Sequence, residues 1–268
     1  MRVTVKCWWY TPASFPMALR FCSGTDAGRK RSNNQDALLA DPSLQLFVVA
    51  DGMGGHRDGD VASRIVVEGI KQFFEDTAAD ADKTWPLGFD VNLSYAANRL
   101  KTAILIANLR IAAHLAAEGL QRGMGATLAA VQIGEERAVV ANVGDCRAYL
   151  LDGTALRQIT HDHSWVAEQV ESGFISPESA RAHPWRHMVT RAVQGDGDLQ
   201  VDVLEIALPA TGRLMLCSDG LHGLVNDEEL AAALAKSRDK LDGLCSSLIQ
   251  TANDRGAPDN VSVLVVDW

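Results

Sequence analysis

Seven apolar segments of strand length recur along the sequence, and several are separated only by short turns. They span residues 19–22, 46–50, 127–133, 138–142, 147–151, 213–217 and 261–266. The connections at 134–136 and 152–153 are too short for a crossover, so the segments that they join must pair antiparallel. The sequence therefore predicts antiparallel sheets.

Two longer segments carry apolar residues at the three- and four-residue spacing of a helix. The first is predicted to begin after an N-cap at Asp60, and the second runs from Leu93 to Leu115. Shorter helices are predicted at 164–173, 177–183, 227–236 and 239–254. Helices with one apolar face must cover a sheet, so the predicted fold class is a layered α+β domain.

Residues 1–16 read as an N-terminal extension to a single domain that spans residues 17–268. Alternation of Val3, Val5, Cys7 and Trp9 indicates a short strand, and the sequence TPASFP then interrupts it. An added edge strand and a loose tail both remain open. Residues 17–268 contain no repeat and no linker.

Composition limits the partners and the compartment. The formal net charge is −9 with no long basic run, which argues against a nucleic-acid partner. Five cysteines without a CxxC pair indicate a reduced, cytoplasmic chain. The most apolar stretch, 102–117, is interrupted by Asn108, Arg110 and His114, so we expect no membrane span.

Acidic residues stand at the ends of apolar strands. Asp51 and Asp219 each follow such a segment and precede a glycine, Asp259 precedes one, and Asp36 lies beside another. A buried carboxylate is costly unless its charge is compensated, and four of them at one end of a sheet would repel. A divalent cation removes the conflict, and ligands that are all oxygen favour Mg²⁺ or Mn²⁺.

Gly52 can add a backbone carbonyl to this set, because a glycine allows close approach. Two ions about 3.5–4 Å apart would turn a bridging water into a hydroxide nucleophile, which is the chemistry of phosphoryl hydrolysis. Taken singly, an Asp-Gly after a strand is more often a turn. Asp58, Asp196 and Asp198 keep that simpler interpretation, as loop and turn residues.

Eight motifs in order resemble the metal-dependent protein phosphatases of type 2C, the PPM family, in its bacterial form. They are TDAGRKRSNNQD, VVADGMGG, GMGATL, NVGDCRAYLL, QITHDHS, TRAVQG, LCSDGL and APDNVSVLV, between residues 25 and 265. The resemblance implies a four-layer α-β-β-α sandwich, two antiparallel sheets flanked by helices, with the metals at one end. It also implies a serine/threonine phosphatase that hydrolyses phosphoserine and phosphothreonine by attack of a metal-bridging water or hydroxide.

The resemblance also implies roles for individual residues. Asp51, Asp219 and Asp259 would bind one metal; Asp51 and the Gly52 carbonyl would bind the second, with Asp36 acting there through water. Arg31 would hold the substrate phosphate, which suits a bidentate guanidinium.

The segment at about 164–190 resembles the family's flap, which would select the phosphoprotein. Its Trp165 and Trp185 are expected to anchor the flap.

Two departures from the family pattern leave points open. Met53 stands where some relatives carry a proton-donating histidine, so His56 or a metal-bound water are alternatives. Gln121, Arg122 and Gly123 stand where many bacterial members carry an acid that helps to bind a third metal. A third metal would then depend on Asp145 or Ser164, and Asp145 is equally a structural turn residue.

Other catalytic classes fit less well. No cysteine begins a C-x₅-R motif, and no G-x-S-x-G or HExxH motif occurs. The triplet His161-Asp162-His163 is interpreted as structural. A catalytically dead relative that binds phosphoproteins, and a hydrolase of small phosphate esters or diesters, remain as rivals. The expected partners are phosphorylated proteins, either kinase targets or the kinase itself, and we expect a monomer.

Overall fold

Two antiparallel sheets form the centre of the molecule. The computed structural model describes residues 4–10, 18–55, 58–78, 85–120, 123–236 and 241–268. Its strands are β1 (Thr4–Tyr10), β2 (Leu19–Asp26), β3 (Asp36–Asp41), β4 (Leu46–Gly54), β5 (Met124–Ile133), β6 (Arg137–Val143), β7 (Arg147–Asp152), β8 (Ala155–Gln158), β9 (Asp202–Ala207), β10 (Arg213–Cys217) and β11 (Val261–Asp267). One sheet has the order β1-β2-β11-β10-β7-β8 and the other the order β3-β4-β5-β6-β9.

Helices cover the outer face of each sheet. They are α1 (Asp58–Ala78), α2 (Tyr95–Ala117), α3 (Trp165–Glu171), α4 (Pro177–Ala182), α5 (Asp219–His222), α6 (Asp227–Lys236) and α7 (Leu244–Asp254). The first two pack on the five-stranded sheet, and the last three pack on the six-stranded sheet. The predicted four-layer α-β-β-α sandwich is confirmed.

Both faces of the central strands are buried, which explains why these strands are apolar at nearly every position. In β4, Phe47 and Val49 point into the layer between the sheets, whereas Val48 and Ala50 pack against α1 and α2. In β10, Leu216 lies between the sheets and Met215 faces the other helical layer. Successive side chains alternate between faces, so a strand covered on both sides needs no polar alternation.

All seven predicted strands are present, and the strands that were not predicted lie at sheet edges. The edge strands are β1 and β8 in one sheet and β3 and β9 in the other. Strands β3, β8 and β9 are partly exposed along their length; β8 and β9 lack a continuous apolar run, and that of β3 is only the four residues 37–40. The N-terminal extension supplies β1, which pairs with β2, so the edge-strand alternative is the correct one.

Helix boundaries differ from the predicted ones at two places. Asp60 is not an N-cap: α1 begins at Asp58, so Asp60 lies inside the first turn, where it pairs with Arg64 at 3.3 Å. The last helix begins at Leu244, because Gly243 occupies the position before it. The single turn α5 was not predicted, since four residues carry no periodic signal.

Helix α2 is continuous for 23 residues, close to the predicted span from Leu93 to Leu115, and its polar positions do not break it. Its mean hydropathy of 1.3 over an 18-residue window makes it long and apolar enough to cross a membrane, by length and composition alone. The core helix of a soluble domain passes the same test. Leu100, Ile104 and Ile111 of this helix are buried against α1 and the sheet.

A buried ion pair lies at one end of the six-stranded sheet. Arg213 at the start of β10 donates to both oxygens of Asp267 at the end of β11, at 2.6 and 2.8 Å. Both side chains are at most 6% exposed, and Arg213 also donates to the Leu234 carbonyl of α6. The pair therefore joins the sheet to its helical layer.

We expect Asp267→Ala to lower the free energy of unfolding by about 3–5 kcal/mol, because it leaves the Arg213 charge buried without this partner. Denaturant titration measures the change. The control is Glu75→Ala, which removes the exposed pair of Glu75 with Lys71 and should cost less than about 1 kcal/mol. Equal losses in the two variants would contradict the importance of the buried pair.

Candidate metal centre and active site

Strand register brings the first two acids together. In the pairing of β3 with β4, Asp36 lies directly opposite Asp51. In the six-stranded sheet, Asp219 follows β10 and Asp259 precedes β11, which places both at the same end of the sandwich. A hydrogen bond of 2.9 Å from the Ser218 hydroxyl to Asp36 Oδ2 links the two sheets there.

The carboxylates perturb one another. Burial, together with repulsion from Asp36 and Asp219, raises the pKa of Asp51 well above its usual value. Burial also raises the pKa of Asp36 to about 7, although hydrogen bonds from Ser262 and Ser218 oppose the shift. Without a cation, the protein therefore cannot keep all of these groups ionised at neutral pH.

Two carboxylate oxygens in this group lack a donor. Among the residues that the structure describes, Asp36 Oδ1 and Asp219 Oδ1 are buried and have no hydrogen-bond partner. Buried polar atoms are usually paired, so an orphaned carboxylate oxygen indicates a missing ligand. Carboxylate oxygens are the ligands that Mg²⁺ and Mn²⁺ prefer, and the residues present fit such ions.

Gly52 lies where a larger residue could not. A Cβ atom at this position would lie 1.9 Å from the Gly59 carbonyl oxygen and 2.6 Å from that of Gln35. The Gly52 amide donates to the Gln35 carbonyl at 3.1 Å. The Gly52 carbonyl oxygen lies close to Gly59, 2.8 Å from where a Cβ atom of that glycine would stand.

Two basic side chains hold the outer acids. Arg31 Nη2 lies 2.8 Å from Asp259 Oδ2, and His187 Nδ1 lies 3.4 Å from Asp219 Oδ2. In the described part of the chain, no group of three or more Asp, Glu, His or Cys side chains is already arranged to hold an ion.

Arg31 is distinguished from its neighbours by this contact. All three basic residues of the loop, Arg29, Lys30 and Arg31, are exposed, so exposure does not separate them. The Arg31 guanidinium lies near enough to Asp51 and Asp219, besides Asp259, for all three to raise its pKa. A guanidinium at the rim of an acidic centre can pass from a carboxylate to a phosphate, because both accept its paired donors.

The flap segment, residues 164–190, contains α3 and α4 and reaches the acidic centre through His187, which lies 3.4 Å from Asp219. A bridge between Ser164 and Val189 and a bond from the Thr190 amide to the His163 carbonyl, 2.8 Å, join its two ends. Within it, Trp165 and Trp185 pack edge to face with centroids 4.9 Å apart. No sequence pattern indicated His187, whose contact with Asp219 spans 32 residues.

Of the two residues considered for a third metal, Ser164 caps a helix and Asp145 is a buried acid near Asp219. Ser164 is the N-cap of α3, where its hydroxyl accepts from the Ala167 amide at 3.3 Å. Asp145 is buried, and burial with repulsion from Asp219 raises its pKa to about 8. Gln121, Arg122 and the alternative proton donor His56 lie outside the described residues.

The triplet 161–163 is structural. Asp162 accepts two bonds from the Arg147 Nε and one from its Nη2, at 2.6–3.1 Å. His163 is buried; its Nδ1 accepts from the Gly144 amide at 3.0 Å, and its Nε2 lies 3.1 Å from Asp202. These bonds account for both residues without a metal.

A four-layer sandwich with a carboxylate centre at one end is the arrangement of a metal-dependent hydrolase. The sequence model of the family Protein phosphatase 2C matches residues 23–258, and the chain belongs to this family.

Individual members of the family are similar to this chain over most of its length, in sequence and in structure. The chain is 37% identical over 250 residues to the serine/threonine phosphatase stp of Listeria welshimeri, covering 91% of this chain and 93% of that protein. The crystal structure of the Mycobacterium tuberculosis serine/threonine phosphatase PstP/Ppp matches with a TM-score of 0.81 and 35% identity over 93% of this chain and 98% of that one. A structure of the PstP catalytic domain in complex with two manganese ions has a TM-score of 0.78 and 34% identity over 93% and 97%.

We expect Asp51→Asn to leave the metal-free protein at least as stable as the wild type, because it removes a buried negative charge that its neighbours repel. Thermal unfolding measures this in EDTA and then in Mn²⁺. At an ion concentration of 100 times Kd the wild type should gain about 2.7 kcal/mol, and the variant much less. Equal Mn²⁺ stabilisation of both proteins would remove Asp51 from the metal centre.

Proposed function

We propose that this chain is a metal-dependent protein serine/threonine phosphatase that hydrolyses phosphoserine and phosphothreonine. The observation that carries the proposal is the group of buried acids Asp36, Asp51 and Asp219, with two orphaned oxygens, beside the Arg31 guanidinium. Membership of the family and the names of its relatives support the same reaction.

The acids divide between two Mn²⁺ or Mg²⁺ ions. Asp51, Asp219 and Asp259 would hold one ion. Asp51 and the Gly52 carbonyl would hold the other, with Asp36 acting there through water. When bound, the ions supply positive charge that activates a water for attack and screens the phosphate. The protein's own contribution is to hold the ligand oxygens at the end of a rigid sandwich.

Arg31 binds the substrate phosphate. Its guanidinium is held by Asp259, so the arginine is already at the site before substrate arrives. A phosphate presents the same pair of oxygens as the carboxylate and carries more charge, so it competes with Asp259 for the arginine. Met53 has no proton to give to the leaving group, and the donor remains open between the alternatives above.

Residues 17–268 form the catalytic domain, with the flap at about 164–190 as the surface that meets the phosphoprotein. Its substrates are targets of serine/threonine kinases or the kinase itself. The proposed enzyme is monomeric and cytoplasmic and binds neither nucleic acid nor membrane. The acidic net charge argues against a nucleic-acid partner, and α2 is buried in the core of the domain.

Asp219→Asn should abolish turnover of a phosphothreonine peptide in Mn²⁺ while the fold survives, because the amide keeps the shape but loses the charge of a ligand. Circular dichroism and phosphate release are the two measurements. Asp198→Asn, which changes an exposed turn residue, is the control and should retain full activity. Normal Mn²⁺-dependent turnover by Asp219→Asn would exclude Asp219 from the site.

The rival functions are distinguished by comparing two substrates of the wild-type protein, the phosphothreonine peptide and a phosphodiester. Hydrolysis of the peptide but not of bis-p-nitrophenyl phosphate, lost in EDTA, is expected for the proposed enzyme. Preference for the diester would indicate a hydrolase of small esters. Binding of the peptide without turnover would indicate a catalytically dead relative.

Arg31→Ala should raise KM for the phosphopeptide about ten- to a hundredfold, since a charged hydrogen-bonding contact contributes roughly 1.5–3 kcal/mol. Arg29→Ala changes an exposed arginine two residues away and should leave KM unchanged. An equal effect of the two substitutions would show that only the general positive charge of the loop matters.

A further inference from the structure

Asn260 follows the proposed metal ligand Asp259, and its side chain has partners for both of its polar groups. It is 2% exposed. Its Nδ2 donates to the Ala27 carbonyl at 3.0 Å and to the Asn33 carbonyl at 2.9 Å. Its Oδ1 accepts from the Gln35 amide at 2.8 Å. Both donors of the amide group and its acceptor are therefore used on one segment.

That segment, residues 27–35, carries the proposed phosphate-binding residue Arg31 and is called the phosphate-binding loop below. It connects the end of β2 at Asp26 to the start of β3 at Asp36, and Arg31 lies at its middle. The loop itself has no strand or helix, so its conformation depends on bonds to its surroundings. The Asn260 side chain bonds to the first residue of the loop, Ala27, and to two of its last three residues, Asn33 and Gln35, so it holds the loop on both sides of Arg31.

The backbone around Asn260 joins the other ligand segments. A Cβ atom on Gly220, directly after Asp219, would lie 1.9 Å from the Asn260 carbonyl oxygen, so the two backbones are in direct contact. The Gln35 carbonyl in turn accepts from the Gly52 amide at 3.1 Å. One buried residue therefore touches or adjoins the segments that carry Asp36, Asp219 and Asp259.

We propose that Asn260 is a positioning residue for the phosphatase reaction: it holds the phosphate-binding loop so that Arg31 stands at the metal centre. This rests on the proposed function. Asn260 does not touch the reacting atoms itself. Aspartate cannot replace it, because a carboxylate loses the two donors and would face the Ala27 and Asn33 carbonyls.

A matched control exists in the same chain. Asn98 of α2 is also 2% exposed, and its Nδ2 donates to the carbonyls of Asp90, Leu93 and Ser94 at 2.9–3.1 Å. Its Oδ1 accepts from the Asp90 amide at 2.8 Å. Asn98 thus holds a loop in the same way, and that loop carries none of the proposed site residues.

The experiment compares Asn260→Ala and Asn260→Asp with Asn98→Ala in the full chain, with a phosphothreonine peptide in Mn²⁺. Both Asn260 variants should raise KM, and the inhibition constant of inorganic phosphate, tenfold or more, with a smaller change in kcat. Asn98→Ala should change neither constant by more than twofold, although it lowers the unfolding midpoint. Unchanged constants in the Asn260 variants would overturn the proposal.

A double-mutant cycle with Arg31→Ala separates positioning from a general structural role. If Asn260 acts through Arg31, adding Asn260→Ala to Arg31→Ala should lower kcat/KM by less than a further twofold. Losses that multiply would show that Asn260 acts by another route and would contradict the proposal. Should Asn260→Ala fail to fold, Asn260→Ser carries the same comparison with a shorter polar side chain.

Hydrogen exchange tests the loop independently of any activity. In Asn260→Ala the amides of Gln35 and Gly52 should exchange at least tenfold faster, whereas in Asn98→Ala they should exchange as in the wild type. Loop protection that depends on Asn260 in a protein without phosphatase turnover would refute the proposed function and leave the loop contact standing. Turnover with unchanged loop protection would refute the positioning role alone.

Discussion

Repulsion between buried carboxylates is the constraint on which this structure depends. Asp36 and Asp51 lie directly opposite each other on neighbouring strands, and like charges in that position destabilise a sheet. Burial raises the pKa of both groups, so the metal-free protein accommodates them by protonation. The packed sandwich offsets the unfavourable free energy of this repulsion. A divalent cation would neutralise the carboxylates and be bound by them.

A chain of polar side chains supports the centre from behind. The Ser218 hydroxyl bonds to Asp36 and accepts from the Ser262 amide at 3.0 Å, and the Ser262 hydroxyl lies 2.7 Å from that of Thr25. Asn34 donates to Thr25 at 2.7 Å and accepts from the Asp36 amide at 3.1 Å. These bonds run across both sheets, so Asp36 is fixed by the sandwich and not by its own strand alone.

Periodic patterns in the sequence predicted the buried strands and the long helices. They did not predict the edge strands or the exact helix ends. The continuous apolar runs of β4 and β10 are visible because both of their faces are buried, whereas β9 lies at an edge and has a mixed pattern. Asp60 was assigned as an N-cap because an acid before an apolar stripe usually is one. The helix begins two residues earlier, and nothing in the pattern distinguishes Asp58 from Asp60.

The acids of the site could be grouped from their shared position at strand ends, and the family resemblance assigned their roles. The contacts that hold them could not, because Ser218 meets Asp36 across 182 residues and His187 reaches Asp219 from the flap. Such pairs have no sequence spacing of their own. They follow from which strands become neighbours and from where the flap returns to the sheet.

The central claim is that these acids share a pair of hard cations. Anomalous diffraction at the manganese absorption edge, from crystals of this protein grown in Mn²⁺, measures it directly. The account predicts two manganese peaks about 3.5–4 Å apart, with Asp51 between them and Asp219 on one. A map with Asp51 and Asp219 turned to different regions and no manganese between them would contradict it.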